Sequence, residues 1–175
     1  GETDFAEIAL QPFSAGKVEL ADLIETKVIT PENLNSKALT EAAVVVLANV
    51  RKLGEDQLRA VEEFVKDGGG LLVAPGNRTD TAWWNGTAMR YGKGLLPLAY
   101  AQLVGDLKEN ASVGVVSQRF DNPALELFND PRNGSLSEAA VKVWFKMKDV
   151  ANPETAEGPI VVARLHSEDP SLVVK

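Results

Sequence analysis

The chain has 175 residues, 45% hydrophobic and 25% charged, which is the composition of one soluble globular domain over residues 1–175. Its formal net charge of -7 argues against a nucleic-acid partner and against an anionic membrane surface, because phosphate groups are bound by clustered Lys and Arg. The absence of cysteine excludes disulfides, thiolate metal sites and a cysteine nucleophile.

The sequence carries no signal for membrane insertion. No apolar run approaches the roughly 20 residues that a membrane-spanning helix needs, and no signal peptide is present. The chain starts at Gly1 rather than Met, and it stops at Lys175 inside a predicted strand. We therefore expect a domain excised from a longer polypeptide, with no direct membrane insertion by this segment.

The N-terminal segment predicts two short helical pieces. Residues 3–10 place apolar side chains on one face, and Pro12 ends the run, so a helix is predicted there. Residues 17–26 are ambiguous between a helix and an extended segment, and we favour an extended segment with a turn. Pro and Asn cluster at 31–35, which indicates a loop, and 36–40 predicts a single helical turn.

The fold class is predicted from residues 42–76. The first apolar run, 44–47, is continuous, as in a strand covered on both faces. Apolar residues then recur at helical spacing over 58–65, and the glycines at 68–70 end that helix before a second strand at 71–73. This βαβ pattern predicts a parallel strand pair in an α/β fold.

The middle of the chain is less regular. Residues 77–94 are polar and lack periodicity, and they follow the carboxyl end of a predicted buried strand, where open α/β sheets bind ligands. Residues 95–107 are apolar and are predicted to be partly helical. A short strand is predicted at 113–116, and a helix at 121–128 with Asn122 as its N-cap.

The C-terminal third predicts three closely spaced strands. Residues 141–148 alternate, with apolar side chains on one face and lysines and Trp144 on the other, which is typical of a half-buried strand. A loop at 149–159 separates it from strands at 160–165 and 172–174. We expect these strands to add an antiparallel extension to the parallel sheet.

No nucleotide or cofactor motif is present. The glycines at 68–70 precede a strand, whereas phosphate-binding glycines lie between a strand and a helix. Gly92 and Gly94 lack the required spacing as well. A single histidine and no cysteine leave no compact transition-metal site. The sequence therefore predicts no cofactor and no metal.

His166 and Glu168 stand two residues apart after a predicted strand, where a base and its orienting carboxylate could lie. Such a pair needs a nucleophile, and no Gly-x-Ser-x-Gly or Gly-x-Cys-x-Gly elbow occurs. The strand that would carry one ends at Ala74, Pro75 and Gly76. We therefore predict no catalytic residue and interpret His166 as a structural or solvated turn residue.

The loop after the second strand is the candidate ligand site. Its amide and charged groups combine with two indole rings, a mixture that can stack on and hydrogen-bond a sugar or a short peptide. With the residue that ends the first strand, the candidates are Asn49, Asn77, Arg78, Asp80, Trp83, Trp84 and Asn85. In the structural alternative, one indole belongs to the core, the other covers a strand edge, and Asn77 and Asp80 cap turns.

A family resemblance rests on the stretch VVVLANVRKLGEDQLRAVEEFVKDGGGLLVAPGNRTDTAWWN. It resembles the class I glutamine amidotransferase-like domain of large bacterial, planctomycete-type membrane proteins that also carry BatA-type and von Willebrand factor A regions. The similarity extends to GLLP at 94–97, FDNP at 120–123 and the closing strands.

The resemblance implies a flavodoxin-like, three-layer α/β/α sandwich with a mostly parallel central sheet and a C-terminal antiparallel extension. It also implies a periplasmic or other extracytoplasmic location within a membrane-anchored protein. Two departures qualify it. The family's Cys elbow is replaced by Ala74, Pro75 and Gly76, a degenerate nucleophile elbow without glutaminase activity. The family's first strand and its last, glycine-rich strand would fall outside residues 1–175.

Three functional hypotheses follow. The first is a non-catalytic binding or interaction domain of a bacterial cell-envelope protein, whose partner is an envelope protein or small molecule. The second is a divergent hydrolase with Asp80, Asp121 or Glu168 acting on a carbohydrate or amide. The third is a carbohydrate-binding module centred on Trp83 and Trp84.

Geometry distinguishes these hypotheses. Two coplanar, exposed indoles would favour the sugar-binding module, and two buried indoles on a filled strand edge would favour the interaction domain. A single pocket would favour the enzyme if it gathered Asn49, Asn77, Asp80 and His166.

Overall fold

The computed structural model describes residues 3–13, 23–90, 93–148 and 158–175. Clustering of the Cα positions divides the chain into two compact units, which we call the N-terminal unit (1–79) and the C-terminal unit (80–175). The single domain over residues 1–175 stays a prediction. Most of the predicted extended segment at 17–26 and of the predicted loop at 149–159 lies outside the described residues.

The N-terminal unit contains the two predicted short helices and the βαβ pattern. Its described elements are α1 (Asp4–Leu10), a 3₁₀ turn (Pro31–Asn33), α2 (Ser36–Leu39), β1 (Val44–Ala48), α3 (Glu55–Lys66) and β2 (Gly70–Ala74). The side chain of Asn35 caps α2 by accepting a hydrogen bond from the Ala38 N–H at 3.0 Å. The predictions for 3–10, 36–40 and the βαβ unit are confirmed.

The triple glycine ends α3 as a Schellman motif. Gly68 is left-handed, with φ 96°. Its N–H donates to the Val65 carbonyl at 3.1 Å, and the Gly69 N–H donates to the Phe64 carbonyl at 2.9 Å. A Cβ on Gly69 would collide with Cζ of Phe64, so a side chain at this position requires the Phe64 ring to move. The chain then enters β2, which pairs with β1 in parallel from Val44 opposite Gly70 onward.

One face of this parallel pair is open, contrary to the prediction of strands covered on both faces. Val44 is 62% exposed, Val46 43% and Leu72 47%. These three side chains point to the same side because Val44 pairs with Gly70 and Val46 with Leu72. We call this side the outer face. The opposite side is the covered one, since Leu47 is only 5% exposed.

The C-terminal unit is built from two antiparallel strand pairs and short helical turns. Its elements are α4 (Thr81–Trp83), a π-helical turn (Trp84–Met89), β3 (Ala99–Gly105), 3₁₀ turns (Glu126–Asn129, Pro131–Asn133 and Leu136–Glu138), β4 (Val143–Lys148), β5 (Ile160–Arg164) and β6 (Pro170–Val174). The three predicted C-terminal strands are therefore confirmed.

Four predictions for the middle of the chain are wrong or incomplete. The segment 95–107 contains β3 instead of a helix, because it pairs with β4. The helix expected at 121–128 is reduced to turns and the 3₁₀ turn Glu126–Asn129, although Asn122 accepts the Ala124 N–H at 3.0 Å, as an N-cap residue does. The strand expected at 113–116 makes only isolated bridges, and the aperiodic segment 77–94 contains helical turns.

The predicted three-layer sandwich is wrong. Among the described residues the strands form three separate sheets of two strands each, β1–β2 parallel and β3–β4 and β5–β6 antiparallel. A flavodoxin-like fold needs one central sheet of several parallel strands, and here only β1 and β2 run parallel. Of the three predicted C-terminal strands, β4 pairs with β3, and β5 pairs with β6, so none of them extends the parallel pair.

The C-terminal unit has its own core beneath β5. The buried members are Val115, Phe120, Leu125, Val162, Ala163 and Leu165. Trp144 packs against this core, although the alternation of β4 had placed it on the outward face with the lysines. None of the helices in the described ranges combines the length and the apolar character that crossing a membrane requires.

Candidate functional site

Asn49 organises the strand ends of the N-terminal unit. It follows β1 in the left-handed region, with φ 50°, and is 8% exposed. Its N–H donates to the Ala74 carbonyl at 2.8 Å, which extends the parallel ladder by one residue. Its Nδ2 donates to Oδ1 of Asn77 at 2.9 Å, and its Oδ1 accepts the Arg78 N–H at 2.9 Å. The amide therefore fastens the two strand ends together.

Gly76 lies directly against this amide. A Cβ on Gly76 would lie 2.5 Å from Cγ of Asn49, so no side chain fits without displacing Asn49. The Gly76 N–H donates to Oγ1 of Thr79 at 2.9 Å, and the Thr79 N–H donates back to the Gly76 carbonyl at 3.1 Å. The stretch Ala74, Pro75, Gly76 thus leads into a tight turn. Its interpretation as a degenerate nucleophile elbow stays a prediction.

The two predicted indoles do not form a stacking platform. Trp84 is 1% exposed, and Trp83 is half-buried. Their ring centroids are 5.1 Å apart with an angle of 88° between the planes. Asp80 caps α4, because its side chain accepts the Trp83 N–H at 3.1 Å. Trp84 is therefore a core residue and Asp80 a cap, as the structural alternative predicted. The nearly perpendicular indoles do not favour stacking on a sugar.

Asn85 connects the π-helical turn to β3. Its Nδ2 donates to the Tyr100 carbonyl at 2.7 Å, and its Oδ1 accepts the Tyr100 N–H at 2.8 Å. The side chain thereby satisfies both backbone groups of Tyr100, as a neighbouring strand would. Burial raises the pKa of Tyr100 to about 12, so its phenol stays neutral at physiological pH.

An open groove of about 610 Å³ lies beside this contact in the C-terminal unit. Its polar lining includes Asn85, Gln102, Lys146, Lys148 and Asp169. The β3–β4 register shifts between Tyr100 and Leu103, next to this groove. Ligand sites usually bury most of the ligand, whereas Gln102 and Lys146 stand exposed on the rim. The groove lacks the enclosure of a catalytic cavity.

The His166–Glu168 pair lies in the tight hairpin loop between β5 and β6. Glu168 is left-handed, with φ 69°, and its N–H donates to the Leu165 carbonyl at 2.9 Å. The Leu165 N–H donates to the Asp169 carbonyl at 2.8 Å and closes the loop. Both His166 and Glu168 are exposed. This geometry agrees with the interpretation of His166 as a turn residue.

The same loop holds a contact that the sequence did not predict. Nε1 of Trp144 donates to Oδ2 of Asp169 at 2.8 Å, and Oγ of Ser167 donates to the same oxygen at 2.9 Å. Burial raises the pKa of Asp169, but these two hydrogen bonds and the charge of Lys146 outweigh it, so the pKa lies below its usual value. The only sequence signal is a Trp among the outward lysines of β4.

The carboxylates proposed for a hydrolase have local roles or lie exposed. Asp80 caps α4, and exposed Asp121 lies 3.7 Å from Nε of Arg119. Within the described ranges, no group of three His, Cys, Asp or Glu side chains could hold a metal ion.

A second open groove, of about 500 Å³, lies beside α2 and α3 in the N-terminal unit. The enzyme hypothesis predicts one pocket lined by Asn49, Asn77, Asp80 and His166. None of these four residues lines either groove. Among the candidates, the structure brings Asn49, Asn77 and Arg78 together and places Asp80, Trp83, Trp84 and Asn85 on one helical segment.

Comparison with known proteins finds no relative: no protein-family model, curated protein or solved structure matches this chain. The resemblance to class I glutamine amidotransferase-like domains therefore stays an expectation. The sandwich fold that it implied is contradicted by the three separate sheets.

Proposed function

We propose that the chain is a non-catalytic interaction domain of a bacterial cell-envelope protein and that it binds an envelope protein through the outer face of β1 and β2. The observation that carries this proposal is the exposure of Val44, Val46 and Leu72 on one side of a parallel sheet. Parallel sheets are almost always covered on both faces, and contiguous exposed apolar side chains mark interaction surfaces.

The polar candidates support a non-catalytic function. Asn49 and Asn77 hydrogen-bond to each other, Asp80 caps a helix, and Asn85 holds the backbone of β3. A catalytic group needs to be free to meet a substrate in a water-excluding site. These side chains instead stabilise turns and strand ends, which accounts for their presence without any chemistry.

The apolar area of these side chains determines how much free energy a partner gains by covering them. Covering a half-exposed Val or Leu contributes about 1 kcal/mol, so Val44, Val46 and Leu72 together contribute roughly 3 kcal/mol to a complex. The cell-envelope location is supported by the family resemblance of the stretch that contains β1 and β2, and the net charge of -7 argues against nucleic acid as the partner.

The test is a double substitution, Val44→Thr with Val46→Thr. Threonine keeps the β-branched shape that suits a strand, so the fold should persist, as circular dichroism would show. Binding of the tagged chain to solubilised envelope proteins should weaken roughly tenfold, because two apolar surfaces become polar.

The matched control is Ile160→Thr, which makes a similar change at a 59% exposed residue of β5. It should leave binding unchanged. Equal binding by the double variant and the parent chain, or an equal loss in the Ile160 variant, would contradict the proposal.

A further inference from the structure

We propose that Asn133 is a site of spontaneous deamidation, and that the fold protects Asn85 from the same reaction. The sequence contains two Asn-Gly pairs, Asn85-Gly86 and Asn133-Gly134. Asparagine is thermolabile, and glycine after it places no Cβ in the way of its backbone nitrogen. Both pairs share this chemistry, so their structural settings decide which one reacts.

Asn133 is set in an exposed turn. It is the last residue of the 3₁₀ turn Pro131–Asn133, and the residues from 131 to 135 are all exposed. Its Nδ2 donates one hydrogen bond, to the Leu127 carbonyl at 2.7 Å. Gly134 has φ 83° with open space around it, and its N–H donates to the Pro131 carbonyl at a long 3.3 Å. Small local openings therefore free the reacting groups.

Asn85 is held more firmly. It lies inside the continuous helical segment formed by α4 and the turn Trp84–Met89, and it follows fully buried Trp84. Both polar atoms of its amide are hydrogen-bonded to the backbone of Tyr100, at 2.7 and 2.8 Å. Reaction there requires two hydrogen bonds and a helical turn to break, so we expect deamidation roughly tenfold slower than at Asn133.

The reaction needs only water and hydroxide besides the two residues. The Gly134 nitrogen loses its proton to hydroxide and attacks Cγ of Asn133, so a new C–N bond closes a succinimide ring. The bond from Cγ to the amide nitrogen breaks, and that nitrogen takes up a proton from water and leaves as ammonia. Water then opens the ring at either carbonyl carbon, which gives aspartate or isoaspartate. No group is oxidised or reduced.

The product alters this edge of the C-terminal unit. A carboxylate at position 133 cannot donate to the Leu127 carbonyl, and two acceptors then face each other. It also adds one negative charge to the net -7, beside the Asp130–Arg132 ion pair. The lost hydrogen bond joins this turn to the preceding 3₁₀ turn, Glu126–Asn129, in which Phe128 packs against the core, so we expect the reaction to loosen residues 127–133 locally.

Incubation of the purified chain in heavy-oxygen water at mildly alkaline pH, followed by peptide mass spectrometry, tests the proposal. Heavy oxygen should enter the peptide with Asn133 roughly tenfold faster than the peptide with Asn85. In urea, where both Asn-Gly pairs are unfolded, the two rates should converge. Equal rates in the folded chain, or a faster reaction at Asn85, would overturn the proposal.

Two variants locate the reacting atoms. Asn133→Gln should abolish incorporation in its peptide and leave that of the Asn85 peptide unchanged. Asn85→Gln should leave the Asn133 rate unchanged, provided that circular dichroism shows a folded chain. Incorporation that persists in the Asn133→Gln peptide would place the reaction elsewhere and contradict the assignment.

Discussion

Asn49 shows how a polar residue at a strand end can be structural. Its backbone is left-handed, and its amide makes two of the hydrogen bonds that join the ends of β1 and β2. Asparagine tolerates this conformation better than other residues with a side chain.

Substitutions of Asn49 separate the two ways in which it affects stability, through its side-chain hydrogen bonds and through its left-handed backbone. Asn49→Ala should lower the free energy of unfolding by roughly 2–3 kcal/mol, because it removes two hydrogen bonds and strains a left-handed backbone. Asn49→Gly removes the same bonds without the strain and should cost about 1 kcal/mol less. Urea denaturation measures both. Equal losses in the two variants would show that the left-handed backbone carries no strain.

Asp169 makes stability depend on pH. Its pKa in the folded chain is lowered from the ordinary 3.8, so its contribution is present above that value and is lost as the pH falls through the lowered pKa. Trp144→Phe removes a donor, so the pKa of Asp169 should rise towards 3.8. Carboxyl titration by NMR measures the shift.

The companion variant Ser167→Ala removes the other donor to the same carboxylate oxygen. It should also raise the pKa of Asp169, by a smaller amount, since the Trp144 hydrogen bond lowers that pKa more than the Ser167 hydrogen bond does. Above pH 3.8 both variants should unfold at lower urea than the parent chain, and this gap should narrow in more acidic solution. A gap that widens in acid would contradict the assignment.

At the scale of elements, the contact between Asn85 and Tyr100 joins a helical turn to a strand. Asn85→Ala leaves the N–H and carbonyl of Tyr100 without these partners, so we expect a loss of about 1–3 kcal/mol. Hydrogen exchange should accelerate at the Tyr100 amide. Asn85→Asp retains the acceptor and should preserve more of that protection. Unchanged exchange in both variants would show that the contact is unimportant.

The sequence predicted the elements that are specified locally. The βαβ unit combines a helical period, a triple glycine and two apolar runs, and each has a local physical role, as the Schellman motif at Gly68 shows. β3 was mistaken for a partial helix because its strand character depends on pairing with β4, more than 35 residues away. The prediction of one central parallel sheet was wrong for a related reason, because local patterns do not determine which strands pair.

The candidate site was predictable in part. The cluster at Asn49 and Asn77 follows from the rule that parallel strands end at one edge, and the capping function of Asp80 was foreseen as an alternative. The contact of Trp144 with Asp169 was not predictable, because it joins residues 25 positions apart through side chains that no motif links.

At the scale of the whole molecule, both units bury apolar cores, and both also expose apolar side chains, such as Ile160 in the C-terminal unit. The C-terminal unit encloses a core of six buried residues beneath β5. The N-terminal unit leaves Val44, Val46 and Leu72 open on the outer face. This exposed surface is the molecular basis of the proposed interaction function, and its covering by a partner is the central claim.

The most direct measurement of that claim is site-specific photo-crosslinking in cells. A photoreactive residue replaces Val46 on the outer face or, as a control, exposed Glu55 on α3. We predict a discrete crosslinked envelope protein from position 46 that is absent from position 55. Absence of any crosslink from position 46, or the same products from both positions, would contradict the account.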